Sequence, residues 1–200
     1  APRAVTLASG LDAITQVIEP WLCARANPFT DALCREAIPR GIKALRTLMI
    51  KECPDSRDEM AWVSLCGGLA LANAGLGVIH GLAGPLGGLS NAAHGALCGS
   101  LLPFGLALNE TQVSDEKIRQ RFADVRQWLA AGLDVDPNNA WESLREWSQR
   151  AGLGNLRELG VPREALEPAA LAASSSSSMK ANPVMLTSEQ LLEMLEAAWE

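Results

Sequence analysis

The sequence lacks most of the features from which a function is usually read. It has no tyrosine, aromatics make up 4% of it, and it holds two histidines. No Lys/Arg cluster stands out and the formal net charge is −6. That excludes the basic surface with which a nucleic-acid binder tracks phosphates. There is no P-loop, no glycine-rich nucleotide loop after a strand, and no internal repeat. The five cysteines (Cys23, Cys34, Cys53, Cys66 and Cys98) are odd in number and irregularly spaced, with no CxxC. They read as reduced thiols of a cytoplasmic protein, buried as small apolar residues. β-branched residues are sparse beside Ala and Leu, which favours helix over sheet. The expected fold is therefore all-α, a single multi-helix bundle domain over 1–200. The opening residues Ala1-Pro2-Arg3 lack Met, a basic n-region and an apolar h-region, so no signal peptide is read there. A chain beginning this way is expected to lie inside a longer protein.

The longest absence is of charge. From Met60 to Asn109 there is no Asp, Glu, Lys or Arg, and the span holds eleven of the seventeen glycines and both histidines. By length it qualifies for spanning a membrane. Its glycines, Ser64, Asn73 and Asn91, the two histidines, the missing basic flanks and the missing aromatic belt argue instead for central buried Gly/Ala-rich helices, since a helix apolar all round belongs in a core. One helix is expected from an Asp55 or Ser56 cap through Trp62, Leu65, Leu69 and Leu76 to about His80. A break falls at Gly84-Pro85-Leu86-Gly87-Gly88, and a second helix runs from Asn91 to Leu108.

Elsewhere the pattern is helical with recognisable punctuation. Ser9 or Asp12 is expected to cap a first helix bearing Ile14, Val17, Ile18 and Trp21. Asn27-Pro28 ends it, and Thr30 or Asp31 is expected to start a second, with Leu33, Ile38, Ile42 and Leu45 on one broad face. Ser114 or Asp115 caps a helix with Phe122, Val125 and Leu129 inward. Trp141, Leu144 and Trp147 mark an amphipathic helix, and Pro162 opens a short one. Ser174 to Ser178 is a low-complexity loop, and Thr187-Ser188-Glu189-Gln190 caps the last helix.

Chemistry is concentrated in few residues. His80 and His94 sit in the uncharged span, and an acidic partner would complete a metal site. Asp12 is the candidate, with Gln16 one turn on, roughly 6 Å away at Cβ on the same helix face. From the residues alone two readings stand: a metal site, or hydrogen-bonded core histidines with Asp12 a helix cap and Gln16 solvated.

The local sequences add a resemblance. Ser9-Gly-Leu-Asp-Ala-Ile-Thr-Gln-Val-Ile-Glu-Pro-Trp21 resembles the segment that opens the helical domain of iron-containing (group III) alcohol dehydrogenases. Ala26-Asn-Pro-Phe-Thr-Asp-Ala-Leu33 is similar to the next segment of those enzymes. Gly75 to Leu89, Ala93-His-Gly95 and Leu101-Leu-Pro103 resemble the family's long histidine motif, and Asn182 to Trp199 its C-terminus. The resemblance implies a two-domain oxidoreductase that interconverts an alcohol with an aldehyde or ketone. In it an N-terminal domain binds NAD or NADP and this helical half supplies the ligands of a divalent metal, Fe or Zn. It implies Asp12, His80 and His94 as those ligands. Two positions depart: the ligand histidine one turn after the Asp is Gln16, and a further histidine one turn after His80 is Gly84. Gln16 weakens iron binding, since an amide is a poorer ligand for Fe(II) than imidazole; it would be a weak further metal ligand or contact a water or the substrate oxygen. Three ligands still suit Zn(II), as in the related glycerol dehydrogenases. The nucleotide-binding half would be this chain's partner, and the 200 residues alone are expected to be inactive. The competing readings are a metal-free half like the maleylacetate reductases, and a non-catalytic helical domain that mediates homo-oligomerisation.

Overall fold

The computed structural model describes residues 1–200, and it is all-α, without strands. Nine α-helices run in order: α1 (Arg3–Leu22), α2 (Pro28–Leu48), α3 (Pro54–Asn73), α4 (Val78–Leu89), α5 (His94–Gln112), α6 (Glu116–Leu133), α7 (Ala140–Ala151), α8 (Leu166–Ser174) and α9 (Ser188–Trp199), with three short 3₁₀ turns among the later connections. Helices α1, α2 and α3 pack on one another, α5 lies across α1 and α4, and α6 to α9 close the far side. One core of 50 buried residues runs through all of them.

Several helix starts lie where side chains dictate. Asn27 caps α2 in a reciprocal capping box with Thr30, and Pro28 takes the first helical position, so the helix starts ahead of the expected Thr30 or Asp31. Asp115 caps α6, and Thr187 with Gln190 forms a second capping box at α9. Such boxes satisfy amide donors that a helix cannot pair internally. Arg121 ties α6 to the first two helices. Its guanidinium donates to both Asp31 carboxylate oxygens at 2.6 Å and to the Trp21 carbonyl at 2.8 Å, and it stacks over the Trp21 ring.

Four expectations need correction. Helix α1 begins at Arg3, so neither Ser9 nor Asp12 caps it, and Asp12 stands in mid-helix. Pro54 opens α3 after Cys53, ahead of the expected cap at Asp55 or Ser56. The break in the uncharged span falls at Ala74–Gly77, before the first histidine. Gly84 to Gly88 are helical within α4, and the second segment starts at His94 rather than Asn91. Gly75 takes φ +125°, a left-handed conformation that a side chain would strain, and α3 and α4 meet at 98°. Leu82, Ala83 and Leu86 are buried in α4, so packing holds this stretch helical despite Pro85.

The fourth correction concerns burial. Helix α5 is central, with Leu97, Cys98, Leu101 and Leu102 fully buried. Helix α3 buries Val63, Cys66, Gly67 and Ala70 but leaves an apolar outer face, where Leu65 is 56% exposed, Trp62 41% and Leu69 40%. No single helix is long and apolar enough to cross a membrane; α3 and α4 pass such a test only as a bent pair.

Candidate metal centre

Helices α1, α4 and α5 converge on one point. Each of Asp12, His80, His94 and Cys98 offers a ligand atom there, all within 4.8 Å of one another. Asp12 comes from the middle of α1, His80 from the first turn of α4, and His94 and Cys98 from successive turns of α5. The approach of α5 to α1 depends on two glycines. A Cβ on Gly95 would lie 2.7 Å from the Ala8 carbonyl oxygen, and one on Gly99 would lie 2.7 Å from Leu11 Cδ1. Gly95 and Gly99 come directly after the two α5 members of the cluster, so small residues at that spacing bring His94 and Cys98 against Asp12.

His80 is gripped at both ring nitrogens. Nε2 lies 3.3 Å from Asp12 Oδ1, and Nδ1 lies 2.6 Å from Glu19 Oε2. Glu19 is buried, and it also accepts the backbone N–H of Ile79 at 2.7 Å and that of His80 at 3.4 Å. Together with Asn182 Oδ1, which accepts the Val78 N–H at 3.0 Å, it satisfies amides at the start of α4 from outside the helix. A carboxylate there also complements the positive end of the helix dipole. Gly77 makes room: a Cβ on it would lie 3.0 Å from Glu19 Oε1 and 2.8 Å from Asn182 Oδ1. One buried carboxylate thus starts α4 and orients the ring of its histidine.

The electrostatics result from burial opposed by close charges. Burial alone would lower the His80 pKa, but the hydrogen bonds of Asp12, Cys98 and Glu19 and the Glu19 charge outweigh it and push it up to about 12. Burial raises Asp12, yet the hydrogen bond and charge of His80, with the charge of His94, hold its carboxyl below the ordinary value. Burial pushes the Cys98 thiol up to about 11, against the pull of His80. Two carboxylates facing one poorly solvated ring make a site that favours a positive charge.

The donor set suits a divalent ion: imidazole nitrogen, carboxylate oxygen and sulfur are the zinc ligand types, and the protein brings them from three separate helices. Glu19 bonded to the far nitrogen of His80 is the outer support that a metal-bound histidine normally has. His94 is exposed, unlike the core residue expected, so the cluster opens to the surface on its side. An apolar cavity of about 410 Å³, lined in part by Val5, Ala8, Asp12, Gly95 and Leu153, adjoins Asp12.

Of the residues singled out in the sequence, Asp12, His80 and His94 are brought together. Gln16, one turn after Asp12, lays its stem and amide oxygen against Gly67 of α3. A Cβ at Gly84 would meet nothing within 4 Å, so the place of a histidine there is open space. Sequence reasoning misses two members of the cluster. Cys98 reads as one of the buried thiols, although His94 and Cys98 stand four apart on a helix. Glu19 goes unremarked in the sequence, although Asp12, Gln16 and Glu19 lie on the i, i+4, i+7 stripe of one helix face.

Comparison with known proteins points one way. Residues 6–199 match the family described as Fe-containing alcohol dehydrogenase family, C-terminal. The chain is 31% identical over 205 residues to alcohol dehydrogenase 4 of Saccharomyces cerevisiae, a match over 100% of this chain and 52% of that protein. It is 33% identical over 201 residues to lactaldehyde reductase of Escherichia coli, covering 99% and 52%. Among solved structures, a 1,3-propanediol oxidoreductase superposes with a TM-score of 0.84 at 30% identity, covering 99% of this chain and 52% of that one. The iron-containing alcohol dehydrogenase of Thermococcus thioreducens does so with a TM-score of 0.85 at 25% identity, covering 100% and 51%.

Proposed function

Because the chain belongs to the Fe-containing alcohol dehydrogenase family and spans about half the length of the curated relatives it matches, we propose that it is the metal-binding half of an NAD(P)-dependent oxidoreductase interconverting a small alcohol and its aldehyde or ketone. The observation that carries this reading is the convergence of Asp12, His80 and His94 from three helices on one point. A divalent ion held there supplies Lewis acidity toward the substrate oxygen. The nicotinamide cofactor is held mainly by a second domain that the relatives' remaining length accommodates, and the reaction takes place in the cytoplasm, where the five free cysteines stay reduced.

The chain's own residues divide the remaining work. Asp12 contributes a negative charge on the open side. Glu19 holds the His80 Nδ1 proton, which leaves Nε2 to face the cluster. Exposed His94 and the apolar cavity beside Asp12 give a small, weakly polar substrate a route to the site. The open space at Gly84 leaves that side free of the histidine found in the iron enzymes. The 200 residues alone carry no nucleotide loop, and they are expected to show no NAD-dependent turnover until joined to a cofactor-binding partner.

Metal analysis of protein purified without chelator tests the reading. The expected result is one equivalent of iron or zinc, lost in His94→Ala. One observation favours a second reading, a metal-free helical domain: Glu19 and Asp12 already occupy both nitrogens of His80. Absence of metal, with the stability of His94→Ala unchanged, would establish that reading and sink the first.

A further inference from the structure

One group at the centre has no part in the ligand set that the family resemblance implies. Cys98 is fully buried in α5, and its Sγ is turned toward the cluster, not into the apolar core. Sγ lies 3.5 Å from His94 Nε2 and within 4.8 Å of the ligand atoms of Asp12 and His80. At the position where the iron enzymes keep a second histidine, this chain has Gln16, which brings no charge.

We propose that Cys98 is the fourth protein ligand, so that this chain holds a divalent ion with Asp12, His80, His94 and Cys98 and selects zinc over iron. The inference rests on the metal-site reading above and goes beyond it in naming the ligand that replaces the missing imidazole.

The distances support it. With zinc bonds of roughly 2.05 Å to nitrogen or oxygen and about 2.3 Å to sulfur, a tetrahedron has edges of about 3.3 Å between N or O donors and about 3.6 Å between nitrogen and sulfur. The Asp12–His80 separation is 3.3 Å and the His94–Cys98 separation is 3.5 Å. Two opposite edges of such a tetrahedron are therefore present, one spanning α1 and α4 and the other within α5; the substrate oxygen would join as a fifth donor, an expansion that zinc permits.

Charge supports it too. Among the direct ligands Asp12 alone would offset only one of the ion's two positive charges, since Glu19 acts from behind the His80 ring. The Cys98 thiolate, formed as its proton passes to solvent on binding, cancels the other. A soft thiolate shifts preference away from Fe(II) toward zinc, whereas an amide oxygen at Gln16 weakens iron binding without adding a charge or a soft donor. Glycine at positions 95 and 99 serves the same end, because the helix that carries the thiol must press against the helix that carries Asp12.

Cobalt(II) titration of the chain provides the test, since a cysteine thiolate on cobalt gives an intense near-ultraviolet charge-transfer band that N and O ligands do not. The expected result is a band saturating at one equivalent, absent in Cys98→Ser and retained in Cys53→Ser. Competition between zinc and ferrous iron should shift toward iron by at least roughly tenfold in Cys98→Ser. Circular dichroism checks that this variant folds. If it does not, X-ray absorption at the zinc edge of the unaltered chain decides, with one sulfur at about 2.3 Å expected. Cobalt or zinc bound without a sulfur neighbour, or a band that survives in Cys98→Ser, overturns the role of Cys98 and leaves the metal centre standing. No metal bound at all overturns both.

Discussion

Helices α3 and α5 take most of their residues from the same uncharged span, yet they occupy different places. Helix α5 is enclosed by α1, α4, α7 and α9 and carries two members of the candidate metal centre. Helix α3 packs only its inner face against α1 and α2 and shows Trp62, Leu65 and Leu69 to the outside. Composition alone does not separate them. The difference lies in where their small residues meet a neighbour. On α5, Gly95, Gly99 and Gly105 each have a neighbour within 3 Å of where a Cβ would lie. On α3, Gly67 meets Gln16 at 3.2 Å, while Gly68 faces open space. A glycine pressed by another helix marks a contact that the fold requires, and one facing space does not.

Substitution can sharpen or break this contrast, and the largest effect belongs to side-chain volume. Leu97→Ala in α5 should cost about 2–5 kcal/mol in denaturant unfolding, because the cavity cannot fill. Leu65→Ala on the outer face of α3 should change stability by no more than about 0.5 kcal/mol. Equal losses would show that the outer face of α3 is covered in solution.

The glycines come next. Gly95→Ala forces a Cβ against the Ala8 carbonyl and should cost about 1–3 kcal/mol, together with weaker metal retention as α5 moves off Asp12. Gly68→Ala meets nothing and should stabilise by about 0.5–1 kcal/mol through helix propensity. Thermal melts with and without added zinc read both. A Gly95→Ala variant that keeps full stability and metal would contradict the close approach.

The smallest effect lies at the polar end of α5. Glu110 accepts from both Arg126 and the Trp141 indole. Burial raises its pKa, but the hydrogen bonds of Arg126 and Trp141 outweigh that and hold the carboxyl below its usual value. A carboxyl with a depressed folded-state pKa stabilises the fold above its unfolded pKa of about 4.3, and that stabilisation is lost as pH falls through the folded value. Glu110→Gln should therefore cost about 1–2 kcal/mol near neutral pH, with the deficit vanishing in acid. Glu59→Gln on α3, which loses only a 3.6 Å pair with half-exposed Arg40, should stay within about 0.5 kcal/mol at either pH. A Glu110→Gln deficit that persists in acid would mean its cost is steric.

The same contrast separates the legible parts of the molecule from the hidden ones. Asp12, His80 and His94 become candidates through their residue types and the family resemblance, and the all-α class and the caps at Asp115 and Thr187 come from local chemistry. The position of the break does not. Gly84 to Gly88 carries a stronger local break signal than Asn73 to Gly77, but burial of Leu82, Ala83 and Leu86 keeps the former helical. Meanwhile Glu19 and Asn182, one from each end of the chain, reward a helix start at Val78. Exposure of α3 and of His94 is likewise illegible, because it depends on which neighbours are present. Cys98 and Glu19 are hidden for another reason. A thiol in an apolar helix and an acid near a helix end both have ordinary local explanations, and only the convergence of three helices gives them another.

The double use of Glu19 makes ligand occupancy and local order one equilibrium. The carboxylate that orients the His80 ring also holds the Ile79 amide, so the first turn of α4 cannot fray without loosening the ring. An ion that binds only the intact arrangement withdraws population from the frayed one, by about 2.7 kcal/mol at a hundredfold excess over its dissociation constant. The exchange rate of a single backbone proton, on Ile79, is thereby a gauge of whether the centre is filled.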